Sequence, residues 1–359
     1  MERILAVIDR PFFLDGLELD VGASMGIALY PRDADDVPTL VLRADVALDN
    51  AKESSNRYAF YEPERDGSDP GRLTLVSGLR AAIEADELTL DFLPTFDLRS
   101  GAIVSAEALV RWRHPDRGLL HPAHFLGTAS EARQTPALTR WVLDSALREC
   151  RAWHDRGWRL PVAVNVDLRS LLDESFVDEI ELALNRNGIE SELLELEITE
   201  ETLLTDPERV AAVVTRLSEY GVKVALDDFG SGLSSLAHLQ GLPIDGLKID
   251  RSLGARLGTD PTVKPIVGSI LSLGNTLGLR VVATGIETRT ALRAVAAAKC
   301  RFGQGFLLAE PLPSDEFMLV LDYTHQHKPD AVATGAASPL GVGIGGLGAL
   351  QQGIGGRRA

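Results

Sequence analysis

The chain has 359 residues, of which 45% are hydrophobic and 25% are charged, a composition typical of a soluble globular protein. Its formal net charge of -16 argues against binding to DNA or RNA, because nucleic-acid binding requires a basic surface. Its two cysteines lack a metal-binding spacing, and it has neither a segment of transmembrane length nor a signal peptide, so a cytoplasmic location is expected.

Residues 1–62 predict a small α/β segment. Residues 21–30 and 57–61 have the pattern of short strands, and Val37–Ser54 has apolar residues at helical spacing. So few elements make a thin core, which predicts half a domain that would fold poorly alone. Residues 63–71 are polar and contain proline and glycine, which predicts a linker.

Strand-like and helix-like segments alternate from residue 72 to residue 322. Strands are predicted at 88–93, 103–112, 162–166, 194–199, 222–227, 246–250, 280–283 and 305–308. Helices are predicted at 73–85, 136–156, 170–187, 207–220, 262–277 and 289–299. This alternation predicts a (β/α)8 TIM-like barrel, with a doubly wound open sheet as the alternative. Residues 323–359 are rich in glycine and alanine, and they predict a disordered tail.

Polar residues stand at the ends of several predicted strands, where barrel enzymes place their chemistry. Asp227 and Asp228 close an apolar strand, and two adjacent acids repel each other unless a cation neutralises them. Further polar residues at or near strand ends are Glu107, Arg111, Asn165, Glu197, Lys248, Glu287 and Gln304. Ligands that offer only oxygen suit Mg²⁺ or Mn²⁺ rather than zinc.

Each of these residues also has a purely structural explanation. A strand glutamate can form a core ion pair, Asn165 can cap a turn, and Lys248 can pair with Asp245 or Asp250. Their joint occurrence at successive strand ends favours a metal site. An enolase-like proton abstraction by Lys248 is an alternative chemistry, although Arg111 and the doubled aspartate fit phosphodiester hydrolysis better.

Residues 73–320 resemble the EAL domain, the cyclic di-GMP phosphodiesterase family. The motifs occur in order: Glu107-Ala108-Leu109-Val110-Arg111, Val164-Asn165-Val166, Glu197-Ile198-Thr199-Glu200, Asp227-Asp228-Phe229-Gly230-Ser231-Gly232, Lys248-Ile249-Asp250-Arg251 and Gln304-Gly305-Phe306. The resemblance implies a barrel with one antiparallel strand near its start. It also implies hydrolysis of cyclic di-GMP to linear pGpG at a two-metal site that uses Mg²⁺ or Mn²⁺.

The same resemblance implies a role for each matching residue. The first metal would be held by Glu107, Asn165, Glu197 and Asp227, and the second by Asp227 and Asp228. The resemblance implies catalytic roles for Lys248, Asp228 and Glu287. It implies substrate contacts for Arg111, Gln304, Leu109 and Pro94. Glu200 would anchor a mobile loop, Asp228–Ser235, and a homodimer through the surface near that loop is a further expectation.

Two positions depart from the EAL pattern. Thr284 stands where the family usually has a glutamate, and threonine cannot accept a proton at neutral pH. Loss of a general base typically lowers a rate by about 10²–10⁴. We therefore expect slowed hydrolysis, with a non-catalytic cyclic di-GMP receptor as the alternative. Leu93 replaces a glutamine, which is expected to weaken base recognition.

The first segment resembles the C-terminal half of a GGDEF diguanylate cyclase domain. The resemblance is carried by Ser24–Pro31 and Ala44–Lys52. The loop that names that domain and its metal-binding aspartates are missing from the segment. We therefore expect a truncated domain without cyclase activity.

Overall fold

The computed structural model describes most of the barrel and parts of the N-terminal segment. The described residues are 12–14, 17–19, 25–34, 36–52, 58–61, 78–122, 125–126, 135–231, 239 and 241–326. The chain divides into two compact units, Met1–Ala81 and Ala82–Ala359. The predicted linker at 63–71 lies outside the described residues. Among the described helices, none is both long enough and apolar enough to cross a membrane.

The first unit contains a parallel strand pair with a helix between its strands in sequence. β3 (Met25–Ile27) pairs with β4 (Tyr58–Phe60), α1 covers Val37–Lys52, and β1 (Phe12–Leu14) forms a separate hairpin with β2 (Leu17–Leu19). A β-carbon on Gly26 would lie 1.9 Å from the carbonyl oxygen of Ala44, so α1 packs directly against the backbone of β3 at this glycine. The first predicted strand ends at Ile27 rather than at Tyr30, because Leu29 and Asp33 close a turn, in which Leu29 N–H donates to Asp33 Oδ2 at 2.6 Å and Asp33 N–H donates to the Leu29 carbonyl at 2.7 Å.

Eight strands of the second unit close into a barrel, which confirms the predicted fold. They are β5 (Leu88–Asp97), β6 (Ile103–His114), β8 (Val162–Asn165), β9 (Leu194–Thr199), β10 (Lys223–Phe229), β11 (Gly246–Ile249), β12 (Arg280–Ala283) and β13 (Phe302–Gly303). β5 is antiparallel to both β6 and β13, whereas the remaining neighbours are parallel. Two short strands, β7 (Gly118–Leu120) and β14 (Leu312–Pro313), extend β6 and β5 outside the closed ring.

Helices follow most of the strands. They are α2 (Thr135–Asp155), α3 (Leu168–Leu171), α4 (Phe176–Asn187), α5 (Glu200–Thr205), α6 (Pro207–Tyr220), α7 (Arg251–Arg256), α8 (Val263–Leu277), α9 (Arg289–Ala297) and α10 (Ser314–Gln326). A further helical stretch is described over residues 78–84. The sequence did not predict α5, α7, α10 or β7.

Three further predictions of elements or their limits were wrong. Residues 305–308 form a turn closed by the bond from Leu308 N–H to the Gly305 carbonyl, and the last barrel strand is β13 instead. The predicted helix at 170–187 is interrupted where the Asp173 carboxylate accepts hydrogen bonds from Ser175. The predicted tail began at residue 323, but α10 continues to Gln326. Residues from 327 onward lie outside the described part.

The sequence of β9, Leu-Glu-Leu-Glu-Ile-Thr, shows how the strands fill the barrel. Its apolar residues are fully buried and face the helix layer, while its glutamates alternate to the interior. There Glu195 pairs with Arg280 of β12 at 2.5 Å, and Glu197 pairs with Lys248 of β11 at 2.6 Å. Because β9 is not a neighbour of β11 or β12, both contacts cross the interior. The second pair lies nearer the carboxyl ends of the strands.

Candidate active site

Three carboxylates converge at the carboxyl end of the barrel. Glu107 comes from β6, Glu197 from β9 and Asp227 from β10, and one oxygen of each lies within 4.8 Å of the others. Glu107 and Glu197 are buried and Asp227 is half-buried. Because inward-facing side chains alternate along each strand, the closing of the sheet brings these distant residues to one point.

Lys248 lies at the centre of this carboxylate cluster. Its Nζ donates hydrogen bonds to Glu107 Oε2 at 2.8 Å, Glu197 Oε2 at 2.6 Å and Asp227 Oδ2 at 3.3 Å. The structural alternative, a pair with Asp245 or Asp250, was wrong. Asp245 pairs with Lys223, and the carboxylate of Asp250 caps α7 by accepting from Ser252 N–H.

Burial and charge give the members of the cluster different proton affinities. Burial raises the pKa of Glu197 well above its usual value, and the charge of Glu107 raises it further. Burial also raises the pKa of Glu107, but the charge of Lys248 and the donated hydrogen bonds bring it below the usual value. Burial opposes the charged form of Lys248, yet the surrounding carboxylates raise its pKa well above normal. A cluster with more carboxylates than cations favours an additional cation.

Two amide side chains fix the orientation of Glu107. Asn165 Nδ2 donates to Glu107 Oε1 at 2.8 Å, and Gln304 Nε2 donates to Glu107 Oε2 at 3.1 Å. Gln304 also donates to the backbone carbonyl of Leu93 at 3.4 Å. A planar amide that donates to Glu107 directs its own oxygen elsewhere, so Asn165 could still offer that oxygen to a metal.

Asp228 has a backbone conformation that is unusual for a residue with a side chain. Its φ of +53° lies in the left-handed region, which aspartate tolerates better than most residues do. Its N–H donates to Asp227 Oδ1 at 2.8 Å. Burial, together with the charges of Asp227 and Asp250, raises the pKa of Asp228 to about 6. This strained turn places two carboxylates side by side at the end of β10.

The segment after Asp228 is held by Glu200. The N–H of Gly230 donates to Glu200 Oε2 at 3.1 Å, which is the contact that the predicted anchoring role requires. Glu200 is buried at the start of α5. The rest of the predicted loop, from residue 232 to residue 235, lies outside the described residues.

A cavity of about 230 Å³ opens beside the carboxylates. Its lining includes nine residues that the sequence singled out: Leu93, Glu107, Leu109, Asp227, Asp228, Lys248, Thr284, Glu287 and Gln304. Arg251 and Phe306 also line it and were missed as site residues. Pro94 is not part of the lining, because it is buried on the opposite face of β5 from Leu93.

Arg251 and Glu287 form the rim of the cavity with Phe306. Glu287 Oε1 lies 2.6 Å from Arg251 Nη2, and the Arg251 guanidinium lies 5.5 Å from the centre of the Phe306 ring. The predicted catalytic residue Glu287 is therefore paired at the rim and does not contact the carboxylate cluster. Phe306 could have been found, because an aromatic residue that follows a strand end in Gln304-Gly305-Phe306 is a reasonable candidate for a stacking contact.

Arg111 lies nearer the carboxyl end of β6 than Glu107 and Leu109, and on the same face of the strand. It is buried, its Nε lies 2.8 Å from Asp91 Oδ2, and its Nη1 donates to the carbonyl of Val110. Arg111 is not among the residues that line the cavity. No sequence pattern singles out Asp91, since a single acid in a strand is ordinarily solvated.

Thr284 lines the cavity, but its hydroxyl already donates a hydrogen bond to the backbone. Thr284 Oγ1 donates to the backbone carbonyl of Ile249 at 2.6 Å. A β-carbon on Gly254 would lie 1.8 Å from the Thr284 carbonyl oxygen, so α7 packs directly on this backbone. The position therefore offers the cavity no carboxylate and no proton acceptor of useful basicity.

Comparisons with known proteins agree on one family. The sequence model of the EAL domain matches residues 77–311. MucR of Pseudomonas aeruginosa, named a bifunctional diguanylate cyclase/cyclic di-GMP phosphodiesterase, is 36% identical over 321 residues, which is 88% of this chain and 47% of MucR. NbdA of the same organism, named a cyclic di-GMP phosphodiesterase, is 37% identical over 314 residues, which is 87% of this chain and 40% of NbdA.

Solved structures give the same result. The structure described as the PaMucR phosphodiesterase in complex with c-di-GMP has a TM-score of 0.66 and 37% identity, and the match covers 68% of this chain and 99% of that chain. The chain spans less than half the length of these two curated relatives.

Proposed function

The chain belongs to the EAL domain family, and on that premise we propose that it hydrolyses cyclic di-GMP to linear pGpG with divalent metal ions. One observation carries the proposal: Glu107, Glu197 and Asp227 converge around Lys248 at the carboxyl end of the barrel. Relatives with this domain are named cyclic di-GMP phosphodiesterases, which supports the choice of substrate.

The charge of the site supports the need for metal ions. Four carboxylates, those of Glu107, Asp227, Asp228 and Glu287, line the cavity with two cations, Lys248 and Arg251. A fifth carboxylate, that of Glu197, lies in the same cluster as Glu107 and Asp227. Cyclic di-GMP adds two phosphodiester charges. A pair of like charges 4 Å apart repels by about 4 kcal/mol at the effective dielectric constant of a protein surface. Two divalent cations carry four positive charges and would cancel most of this excess of negative charge.

The donor atoms fit Mg²⁺ or Mn²⁺, because all of them are oxygens. Glu107, Asn165, Glu197 and Asp227 would hold a first ion, and Asp227 with Asp228 would hold a second. The chemistry that such ions supply when bound is activation of water and neutralisation of charge on the phosphate and the leaving oxygen.

Other residues of the site orient the carboxylates, neutralise their charge or contact the substrate. The amides of Asn165 and Gln304 keep Glu107 in one orientation, so the reacting groups need little reorganisation. Lys248 carries a fixed positive charge beside the carboxylates and can hold a water molecule at the phosphate. At the rim, the ring of Phe306 is 49% exposed and offers a flat apolar face to a guanine base.

A second function is favoured by one observation, the neutral hydroxyl of Thr284. If deprotonation of water requires a carboxylate at this position, the domain binds cyclic di-GMP without turning it over. It would then act as a receptor. Binding of the ligand would be transmitted through the segment that Glu200 holds at Gly230.

One experiment tests the proposal and separates the two functions. Labelled cyclic di-GMP is incubated with Mg²⁺ or Mn²⁺ and the wild type, Thr284→Glu or Glu197→Gln, and pGpG is quantified. We expect slow turnover by the wild type, faster turnover by Thr284→Glu, and none by Glu197→Gln. A wild type that binds the ligand without turnover would select the receptor. A wild type that shows neither binding nor turnover contradicts both functions.

We also propose that the first unit derives from a GGDEF domain. The alignment with MucR covers 321 residues, which is longer than the stretch from residue 77 to residue 359, so it extends into the first unit. This stretch of sequence lacks the loop that names the domain, and we therefore expect no cyclic di-GMP from GTP and Mg²⁺. Formation of cyclic di-GMP by the purified chain would refute this.

A further inference from the structure

Asp91 and Arg111 form a buried ion pair at the edge of the proposed active site. Asp91 pairs in register with Leu109, and Arg111 is two residues further along β6 on the same face. Arg111 Nε lies 2.8 Å from Asp91 Oδ2, with the two side chains 5% and 16% exposed. A pair this deeply buried is only weakly screened by salt, so the carboxylate neutralises the guanidinium effectively.

The pair directs Arg111 away from the cavity. Glu107 and Leu109, on the same face of β6, line the 230 Å³ cavity, whereas Arg111 does not. Asp91 instead lines a neighbouring cavity of about 670 Å³, which also includes Arg113 and His114. A phosphodiester in the proposed active site would therefore have to compete with Asp91 for the guanidinium of Arg111.

We propose that Asp91 is a positioning residue that holds Arg111 back from the substrate and thereby lowers the affinity of this chain for cyclic di-GMP. The inference rests on the proposed function of the site. If Arg111 turns to a phosphate, its buried ion pair with Asp91 has to be broken, which opposes binding. Asparagine in its place keeps the shape of the side chain and removes the charge.

The test compares Asp91→Asn with the wild type, each as the 359-residue chain. Calorimetric titration with cyclic di-GMP in Mg²⁺ gives Kd, and initial rates give KM and kcat separately. We expect Asp91→Asn to lower Kd and KM about tenfold, which corresponds to one charge interaction of about 1.4 kcal/mol, with kcat changed less than about threefold. In an Arg111→Ala background the same substitution should have no effect, because Asp91 acts through Arg111.

Asp97→Asn is the matched control. Asp97 lies on the same strand, is buried, and pairs with Arg301 at 2.8 Å. It is six residues from Asp91, which is about 20 Å along a strand. The control removes the same charge from an aspartate–arginine pair that does not line the cavity, although its arginine, Arg301, is 58% exposed, so it should leave Kd unchanged.

The outcomes separate the inference from the proposed function. Wild-type binding that Asp91→Asn leaves unchanged or weakens overturns the inference and leaves the function intact. Equal tightening by Asp97→Asn also overturns it, because net charge would then explain the result. Absence of binding in both the wild type and Asp91→Asn overturns the proposed function and the inference together. Should Asp91→Asn fail to fold, Asp91→Ala is titrated instead, with the same expected direction.

Discussion

Lys248→Met should make the barrel dependent on metal ions for its stability. The substitution removes the ammonium that contacts all three carboxylates and leaves a side chain of similar length. The carboxylates are then buried without a counter-charge, since Lys248 and Glu197 are 5% and 3% exposed. Breaking a buried pair by removing one partner costs about 3–5 kcal/mol.

The expected shift in Tm follows from this free energy. For a domain of this size, each kcal/mol changes Tm by about 2–4 °C, so Lys248→Met should lose about 6–20 °C in EDTA. Without the competing ammonium, a divalent ion should bind the carboxylates more readily. At 100 times its Kd, such an ion returns about 2.7 kcal/mol. The measurement is the thermal transition of both proteins in EDTA and in excess Mg²⁺.

Lys223→Met is the matched control for this experiment. Lys223 also donates to a carboxylate, that of Asp245, at 2.8 Å, but its side chain is 45% exposed. An exposed pair contributes about 0–1 kcal/mol, so its loss should change Tm little, and Mg²⁺ should not correct the change. Equal losses for Lys223→Met and Lys248→Met would refute the reasoning. So would a Lys248→Met protein whose Tm in EDTA matches that of the wild type.

Three further predictions concern other parts of the barrel. Thr284→Glu should raise the rate of pGpG formation by about 10²–10⁴, measured at saturating Mg²⁺, and an unchanged rate would mean that this position is not where the base is missing. Burial raises the pKa of Cys150 to about 12 and that of Cys300 to about 11, so at pH 8 neither should react with a disulfide reagent until urea unfolds the chain. Fast labelling without denaturant would show that the two sites are open to solvent. Glu195→Gln should destabilise the barrel by about 1–3 kcal/mol in urea titrations through the loss of its pair with Arg280. Its kcat should stay near that of the wild type, because this pair lies away from the cavity.

The sequence was sufficient to find the carboxylate cluster for a physical reason. Glu107, Glu197 and Asp227 each interrupt an otherwise apolar strand at an inward-facing position, and barrel closure brings such positions together. Contacts between side chains on the same strand pair could not be predicted in this way. The partner of Arg111 depends on the register of β5 against β6, which the alternation of residues leaves open.

The errors in the fold have local causes as well. Residues 305–308 contain Phe306 and two leucines, which mimic a strand, but Gly305 allows the chain to turn and the carbonyl of Gly305 accepts the bond that closes it. The apolar spacing of 170–187 continues through a break that is stabilised by Asp173, a residue that competes for backbone-like hydrogen bonds. In both cases, a local hydrogen bond outweighed the hydrophobic pattern.

The interior of the barrel separates stability from function along its axis. In the layer below the cavity, Glu195 and Arg280 are matched one to one, so this layer needs no further ion. In the layer at the carboxyl ends, Lys248 faces three carboxylates, and the pKa of Glu197 is raised well above its usual value by burial and by the neighbouring charge of Glu107. A folded chain can tolerate such an excess by holding a proton or by binding a cation. A bound proton would neutralise one carboxylate and so remove it as a metal ligand. A bound cation would match the negative charges and leave all three carboxylates ionised. The excess of carboxylates in this layer is therefore better explained by metal binding than by packing.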